Sequence, residues 1–192
     1  MQHRRPLISM LALTLSLSTG LITACNDDDD ATGPASGQLV SPISSDAHIV
    51  ALLHESNLGE IQAGTLAQQR ATDTEVRTFA ALMITHHTTL DTAMTRLAAS
   101  VGIVPVLPDS ALPRIQQAEM AVLQATSAGT TFDRVYIGQQ IVAHRRTLTL
   151  VDTSIARAQR AELRTMLQAQ VRPAVAAHLQ QAITIQGRIG AP

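Results

Sequence analysis

Beyond residue 45, apolar side chains return every three or four positions, which is the period of an amphipathic helix. No run alternates with the period of two that a half-buried strand shows. The pattern predicts four long helices, at about 46–70, 73–101, 130–158 and 160–187. A shorter helix is predicted between the second and the third, at about 114–125. This part of the chain is therefore predicted to be all helical.

Side chains that favour helix ends stand near the predicted boundaries. Asp46 and Asp73 can cap the first two long helices, because a carboxylate accepts hydrogen bonds from the free N–H groups of a first turn. Thr130 and Asp133 resemble a capping box with Asp in place of Glu. Pro173 lies inside the fourth helix and predicts a kink or a brief break there.

The connections predict how the helices pack. Short turns at 71–72 and near Gln159 favour two antiparallel hairpins, and together these form an antiparallel four-helix bundle. The link between the second and third long helices is much longer, and Gly102 and the prolines of 105–113 interrupt it. Such a link can cross over along the bundle. The predicted fold is all-α, a ferritin-like four-helix bundle with an extra short helix in this connection.

Each long helix carries one ionisable side chain near the middle of its apolar face: Glu60, His87, His144 and His178. Burying such a group is unfavourable unless it is hydrogen-bonded, paired or bound to a metal ion. Metal sites in helical bundles are built from facing side chains of this kind. At 1.5 Å per residue, the two members of each hairpin stand roughly 6 Å out of level along the axis. These four residues are the predicted metal ligands.

The neighbouring sequence narrows the choice of metal. The Glu-x-x-His pairs of di-iron bundles are absent, since Ile84 stands three residues before His87 and Ile141 three before His144. A mononuclear, histidine-rich site suits copper, zinc or iron.

Further side chains could join the site as ligands, or could hydrogen-bond the predicted ligands in the absence of a metal. His86, beside His87, and Asp91, one turn on, could add or orient a ligand. The same groups could instead satisfy one another by hydrogen bonds, with Gln140 and Gln181 as partners. A metal site and a purely structural polar layer are therefore both open.

The N-terminus predicts export and lipidation. Arg4 and Arg5 precede an uncharged stretch, 7–22, that is shorter than the roughly 20 apolar residues of a membrane-spanning helix and fits a signal peptide. The sequence 22–25, Ile-Thr-Ala-Cys, resembles the lipobox of bacterial lipoproteins. Cys25 is the only cysteine and is the predicted lipidation site.

The predicted organisation is a signal peptide at 1–24, a lipidated tether at 25–45 and a helical domain at 46–192. The tether contains four consecutive aspartates followed by Gly, Pro and Ser residues, a composition that cannot form a core. Asn26 after the cysteine favours the outer membrane, facing the periplasm. The membrane, reached through the lipid anchor, is the one partner predicted.

The charge balance and composition exclude some function classes. From residue 46 on there are twelve arginines against eleven acids, so no strong field attracts nucleic acid. The chain has no lysine, which excludes Schiff-base chemistry. The sequence indicates no reaction.

Several short motifs, in this order along the chain, support the predicted helical bundle: 57–60 (Asn-Leu-Gly-Glu), 76–80 (Val-Arg-Thr-Phe-Ala) with His87, 132–136 (Phe-Asp-Arg-Val-Tyr), 140–144, and Pro173 with His178. Over about 45–185 the chain resembles the bacterial ferritin-like domain of unknown function found in many predicted outer-membrane and exported proteins. That family has no settled activity, so the resemblance implies a fold more than a function. It usually has an acid just before its second-helix histidine, where this chain has His86.

A local resemblance points to copper. Residues 83–87, Met-Ile-Thr-His-His, with Met94 are similar to the double-histidine motif of small exported, copper-associated helical proteins. In those proteins such pairs recur in the second half, where this chain offers only His144. The function predicted is a membrane-anchored envelope lipoprotein that binds or buffers a transition metal. The alternative is a structural or interaction module of the envelope with no metal and no catalysis.

Overall fold

The computed structural model describes residues 43–192. The predicted signal peptide, Cys25 and all but the last three residues of the predicted tether lie outside the described residues. The described chain forms helices and no strand. None of the described helices combines the length and apolar character that crossing a membrane requires. The helices are α1 (Asp46–Arg70), α2 (Thr74–Ser100), α3 (Leu112–Ala125), α4 (Thr130–Arg157), α5 (Ala161–Met166), a π-helical turn (Leu167–Val171) and α6 (Arg172–Ile189).

The four long helices pack as two hairpins. α1 lies mainly against α2, and α4 lies mainly against α6. The fourth predicted helix corresponds to α5, the π turn and α6 in succession, and the predicted short helix in the long connection is α3. The prediction of an all-helical bundle with this extra helix is confirmed.

The hydrophobic core consists of two clusters that every long helix joins. One contains Ile49, Leu52, Met94, Val151 and Val175, and the other contains Phe79, Met83, Phe132, Tyr136 and Ile185. α1 and α6 run from the first cluster to the second, whereas α2 and α4 both run from the second to the first. The connection through α3 must therefore return along the length of the bundle, which is the crossover that the sequence allowed.

A polar layer separates the two hydrophobic clusters. On each long helix it falls between the residues of one cluster and those of the other. Its buried members are Ser56, Asn57, Glu60, His87, Gln140, His144, Thr147 and His178. Above and below this layer the core is almost wholly apolar, so the layer is the part of the core with chemical capacity.

The caps agree with the sequence only in part. Asp73 caps α2, and its carboxylate accepts from the N–H groups of Glu75 and Val76 at 2.8 and 3.1 Å. At α1, the side chain that accepts from the first turn belongs to Ser45, not to Asp46. The predicted capping box at α4 is wrong, because the N-cap position is Gly129, at φ 116°, and Thr130 is already helical.

Asp46 and Asp133 instead tie the two hairpins together. The buried carboxylate of Asp46 accepts from the backbone N–H groups of Gln159 and Arg160, at 2.8 and 3.0 Å. At the other end of the bundle, the fully buried Asp133 accepts two backbone N–H groups at 3.0 Å and one hydroxyl at 2.8 Å, all from Thr72 and Asp73. Each aspartate thus satisfies the turn of the opposite hairpin.

The irregularity expected at Pro173 is a π turn, Leu167–Val171, that ends two residues before the proline. Proline has no N–H to donate to the carbonyl four residues earlier, and its ring crowds that carbonyl in a regular helix. A π turn spaces its hydrogen bonds five residues apart, which makes room for the proline ring. It also takes up an extra residue, which reduces the excess of residues between the second hairpin turn and His178.

Candidate metal centre

Three histidines from three helices meet in the polar layer. His87 comes from α2, His144 from α4 and His178 from α6, and we call them the three-histidine cluster. Their ring centroids are 5.2 to 5.7 Å apart. Each offers one ring nitrogen, and these three atoms lie within 4.8 Å of one another. The rings are 1–2 % exposed, so the cluster is sealed within the bundle.

Hydrogen bonds fix which nitrogen of His87 and His144 is free. Nδ1 of His87 donates to the side-chain oxygen of Asn57 at 2.9 Å, and Nδ1 of His144 donates to the backbone oxygen of Gln140 at 2.9 Å. In a neutral imidazole, a nitrogen that carries the proton leaves the other with the lone pair. Nε2 of each ring therefore holds a lone pair, and neither Nε2 has a hydrogen-bond partner in the described structure.

His178 is arranged the other way round. Its Nε2 lies 2.9 Å from Nδ1 of His86, and its Nδ1 has no partner in the described structure. The cluster thus presents three unpartnered ring nitrogens. A tetrahedral ion holds histidine nitrogens at about 2.0–2.1 Å, which places them roughly 3.3 Å apart. A modest inward movement of the rings from their present spacing would therefore complete three coordination bonds.

Glu60 lies beside the cluster rather than within it. Its Oε1 is 3.8 Å from Nδ1 of His144, the nitrogen that faces away from the free Nε2, and it is not one of the three grouped ligands. Its Oε2 is buried without a partner. Because Nδ1 of His144 already donates to the Gln140 carbonyl, Glu60 is a nearby carboxylate and not the hydrogen-bond partner of this ring. Burial, and then the charge of Glu60, also raise the pKa of Tyr136 well above its usual value.

The two secondary candidates also lie outside the cluster. His86 is exposed and contacts it through His178. Asp91 accepts from Nδ1 of His54 at 2.7 Å and lies 3.5 Å from the amide nitrogen of Asn57. Asp91 therefore reaches His87 only through Asn57, as an outer support.

Asn57 is the site residue that sequence reasoning missed. It lies one turn before Glu60 on the inward face of α1 and is 8 % exposed. A second polar residue on an apolar face was the available signal. Its contact with His87 depends on how α1 and α2 pack, which the helical period alone does not define.

The surroundings keep two rings of the cluster, His87 and His178, neutral. Burial, followed by repulsion from neighbouring histidines, holds the pKa of His87 well below 6.5. The same causes lower the pKa of His178 to about 3. Both rings therefore carry no charge at neutral pH. Neutral imidazole is the form that binds a metal ion, so these two rings do not have to lose an imidazolium proton before they bind one.

These observations define the class of protein: a crossover helical bundle whose core holds a sealed cluster of three histidines. Residues 30–185 match a family described as Domain of unknown function (DUF4142), and the chain belongs to that family. No curated protein and no solved structure gives a significant match. The function therefore has to be argued from the site.

Proposed function

We propose that this protein binds one transition-metal ion through His87, His144 and His178. The observation that carries the proposal is the meeting of three buried histidine rings, each of which has one unpartnered nitrogen and a hydrogen bond at the other. A buried polar atom without a partner costs about 1–3 kcal/mol. Three in one place are costly for a layer that serves packing alone, and a single ion would satisfy all of them.

The donor set favours copper, zinc or ferrous iron, the borderline metals that imidazole suits. Three histidines leave a fourth position for water or another ligand. The buried carboxylate of Glu60 would offset part of the ion's charge through His144. No nucleophile or general acid is assigned to the site, so the proposed activity is binding or buffering of the metal rather than catalysis.

The predicted lipobox and tether support a location for this activity. We propose that Cys25 carries the lipid anchor and that the bundle faces the periplasm from the outer membrane. Two hairpins joined by one long crossover also support placing the domain among ferritin-like folds. Together these make the protein a candidate envelope lipoprotein that holds a transition metal.

Thermal unfolding with and without metal tests the proposal. An ion that binds only the folded state stabilises it by about 2.7 kcal/mol at a free concentration 100 times Kd. We expect Zn²⁺ or Cu²⁺ to raise the melting temperature of the untagged protein by several degrees. His144→Ala should abolish this rise. His54→Ala, a matched substitution at a half-exposed histidine outside the cluster, should retain it.

The alternative, a structural or interaction module, predicts a different result. A metal-free polar layer would leave the melting temperature of the wild type unchanged by either ion. His144→Ala would then alter only the stability of the metal-free protein, by removing a buried ring.

A further inference from the structure

A metal ion can use the three-histidine cluster only if it can reach it. The three rings are 1–2 % exposed, so no ligand meets bulk solvent directly. The neighbouring His86 does, because it is exposed and its ring also contacts a member of the cluster. It is therefore the candidate link between solvent and site.

The four imidazoles are neighbours in space, with His86 next to His178 and His178 next to both other rings of the cluster. The ring of His86 lies 5.2 Å from that of His178, measured between centroids. The ring of His178 in turn lies 5.2 Å from His87 and 5.4 Å from His144. A cation held by the first ring is thus within one ligand exchange of the cluster.

We propose that His86 is the residue through which a transition-metal ion enters and leaves the three-histidine cluster. This inference rests on the proposed metal-binding function. A cation is first held by His86 at the surface, is then shared with His178, and passes to the three inner nitrogens. Release follows the same steps in reverse, which gives a sealed site a route for exchange.

The hydrogen bond between the two rings suits this role, because it holds a single proton. When His178 donates through Nε2, its lone pair is on Nδ1, inside the cluster. When His86 donates through Nδ1, its own lone pair is on Nε2, and neutral His178 carries its proton on Nδ1. A lone pair is therefore offered either at the surface or in the core. When the ion passes inwards, the shared proton moves from Nδ1 of His86 to Nε2 of His178, the ion displaces the proton on Nδ1 of His178, and Nε2 of His86 takes up a proton from solvent, so the pair keeps two protons.

A second route is less well placed. A cavity of about 40 Å³ beneath α3 is lined by Glu60, Gln140, Ala143 and the Glu119–Arg146 ion pair, among others. It leads to Glu60, which lies at Nδ1 of His144. That nitrogen already donates to Gln140, so the cavity does not lead to the free Nε2. Filling this cavity is therefore the control for removing the imidazole of His86.

The test measures the rates of metal uptake and release separately from the affinity. Uptake of Co²⁺ by the full chain is monitored through the visible absorption of the bound ion, and release is measured with a chelator. His86→Asn keeps a hydrogen-bonding oxygen beside Nε2 of His178 but removes the imidazole. We expect uptake and release to slow together by about tenfold, with Kd nearly unchanged. His48→Asn, the same change at a partly exposed histidine whose side chain hydrogen-bonds to Ser44, and Ala143→Leu, which fills the cavity, should leave both rates unaltered.

Three outcomes would overturn the assignment. Unchanged rates in His86→Asn would exclude transfer through this ring. A weaker Kd with an unchanged uptake rate would mean that His86 only orients His178. Slower uptake in Ala143→Leu, with normal rates in His86→Asn, would assign the route to the cavity. If the wild type takes up no Co²⁺, Zn²⁺ or Cu²⁺, the proposed function itself fails.

Discussion

At the scale of single residues, the site is defined by which nitrogen of each histidine is free. Asn57, the Gln140 carbonyl and His86 each occupy one nitrogen of a cluster ring and leave the other with a lone pair. The sequence predicts which histidines face the core, because facing follows from the helical period. It does not predict the hydrogen-bond partners, since these lie on other helices or on the backbone.

The low pKa values of His87 and His178 predict a dependence of stability on pH. In the unfolded chain a histidine binds a proton near pH 6.5, whereas folded His178 does so only near pH 3. Below pH 6.5 the unfolded state binds more protons, so the free energy of unfolding falls as pH drops from 6.5 towards 3.

We expect His178→Gln to reduce this slope in the metal-free protein by up to about 1.4 kcal/mol per pH unit. Chemical denaturation at pH 7, 5 and 4 measures it. Parallel profiles for the wild type and His178→Gln would show that His178 is not held neutral by the fold.

At the scale of elements, local signals sufficed for the helices and failed at their ends. The predicted helices match the observed ones closely, because the apolar period and the Gly and Pro breaks are local features. The roles of Asp46 and Asp133 could not be predicted, since their partners lie 60 or more residues away in the sequence, at the turn of the opposite hairpin. The site followed the same rule: the three inward histidines and the neighbouring His86 and Asp91 were named from the sequence, whereas the contact of Asn57 with His87 was not.

The tie made by Asp133 predicts a large loss of stability on substitution. Asp133→Ala would leave two backbone N–H groups and the Thr72 hydroxyl without their acceptor inside the bundle. We expect a loss of about 3 kcal/mol or more in the free energy of unfolding, because hydrogen bonds to a charged group are each worth about 1.5–3 kcal/mol.

Urea denaturation at neutral pH measures this loss. Asp152→Ala is the matched control, since Asp152 forms only an exposed ion pair with Arg172, and we expect little change. Equal stability of the two variants would mean that Asp133 does not hold the hairpins together.

At the scale of the whole molecule, the bundle is two hydrophobic clusters joined through one polar layer. Every long helix contributes to both clusters and passes through the layer between them. A metal ion bound there would link α2, α4 and α6, and so connect the two hairpins at mid-height. Binding is therefore expected to stabilise the bundle as a unit rather than one helix.

The predicted lipid anchor would attach the whole domain to a membrane. We expect Cys25→Ser to be exported but not lipidated, because the thiol is the acceptor of the lipid and serine does not replace it. Membrane fractionation and mass spectrometry of the mature N-terminus, with and without the signal-peptidase inhibitor globomycin, provide the readout. A wild-type chain that matures at another residue, with Cys25 unmodified, would contradict the lipoprotein assignment.

We propose that one metal ion binds among His87, His144 and His178. Anomalous diffraction at the zinc edge, from crystals of the protein grown with Zn²⁺, tests it most directly. We expect one strong peak in the polar layer, about 2.0–2.1 Å from Nε2 of His87, Nε2 of His144 and Nδ1 of His178. An empty cluster in crystals that hold zinc only at the surface would contradict it.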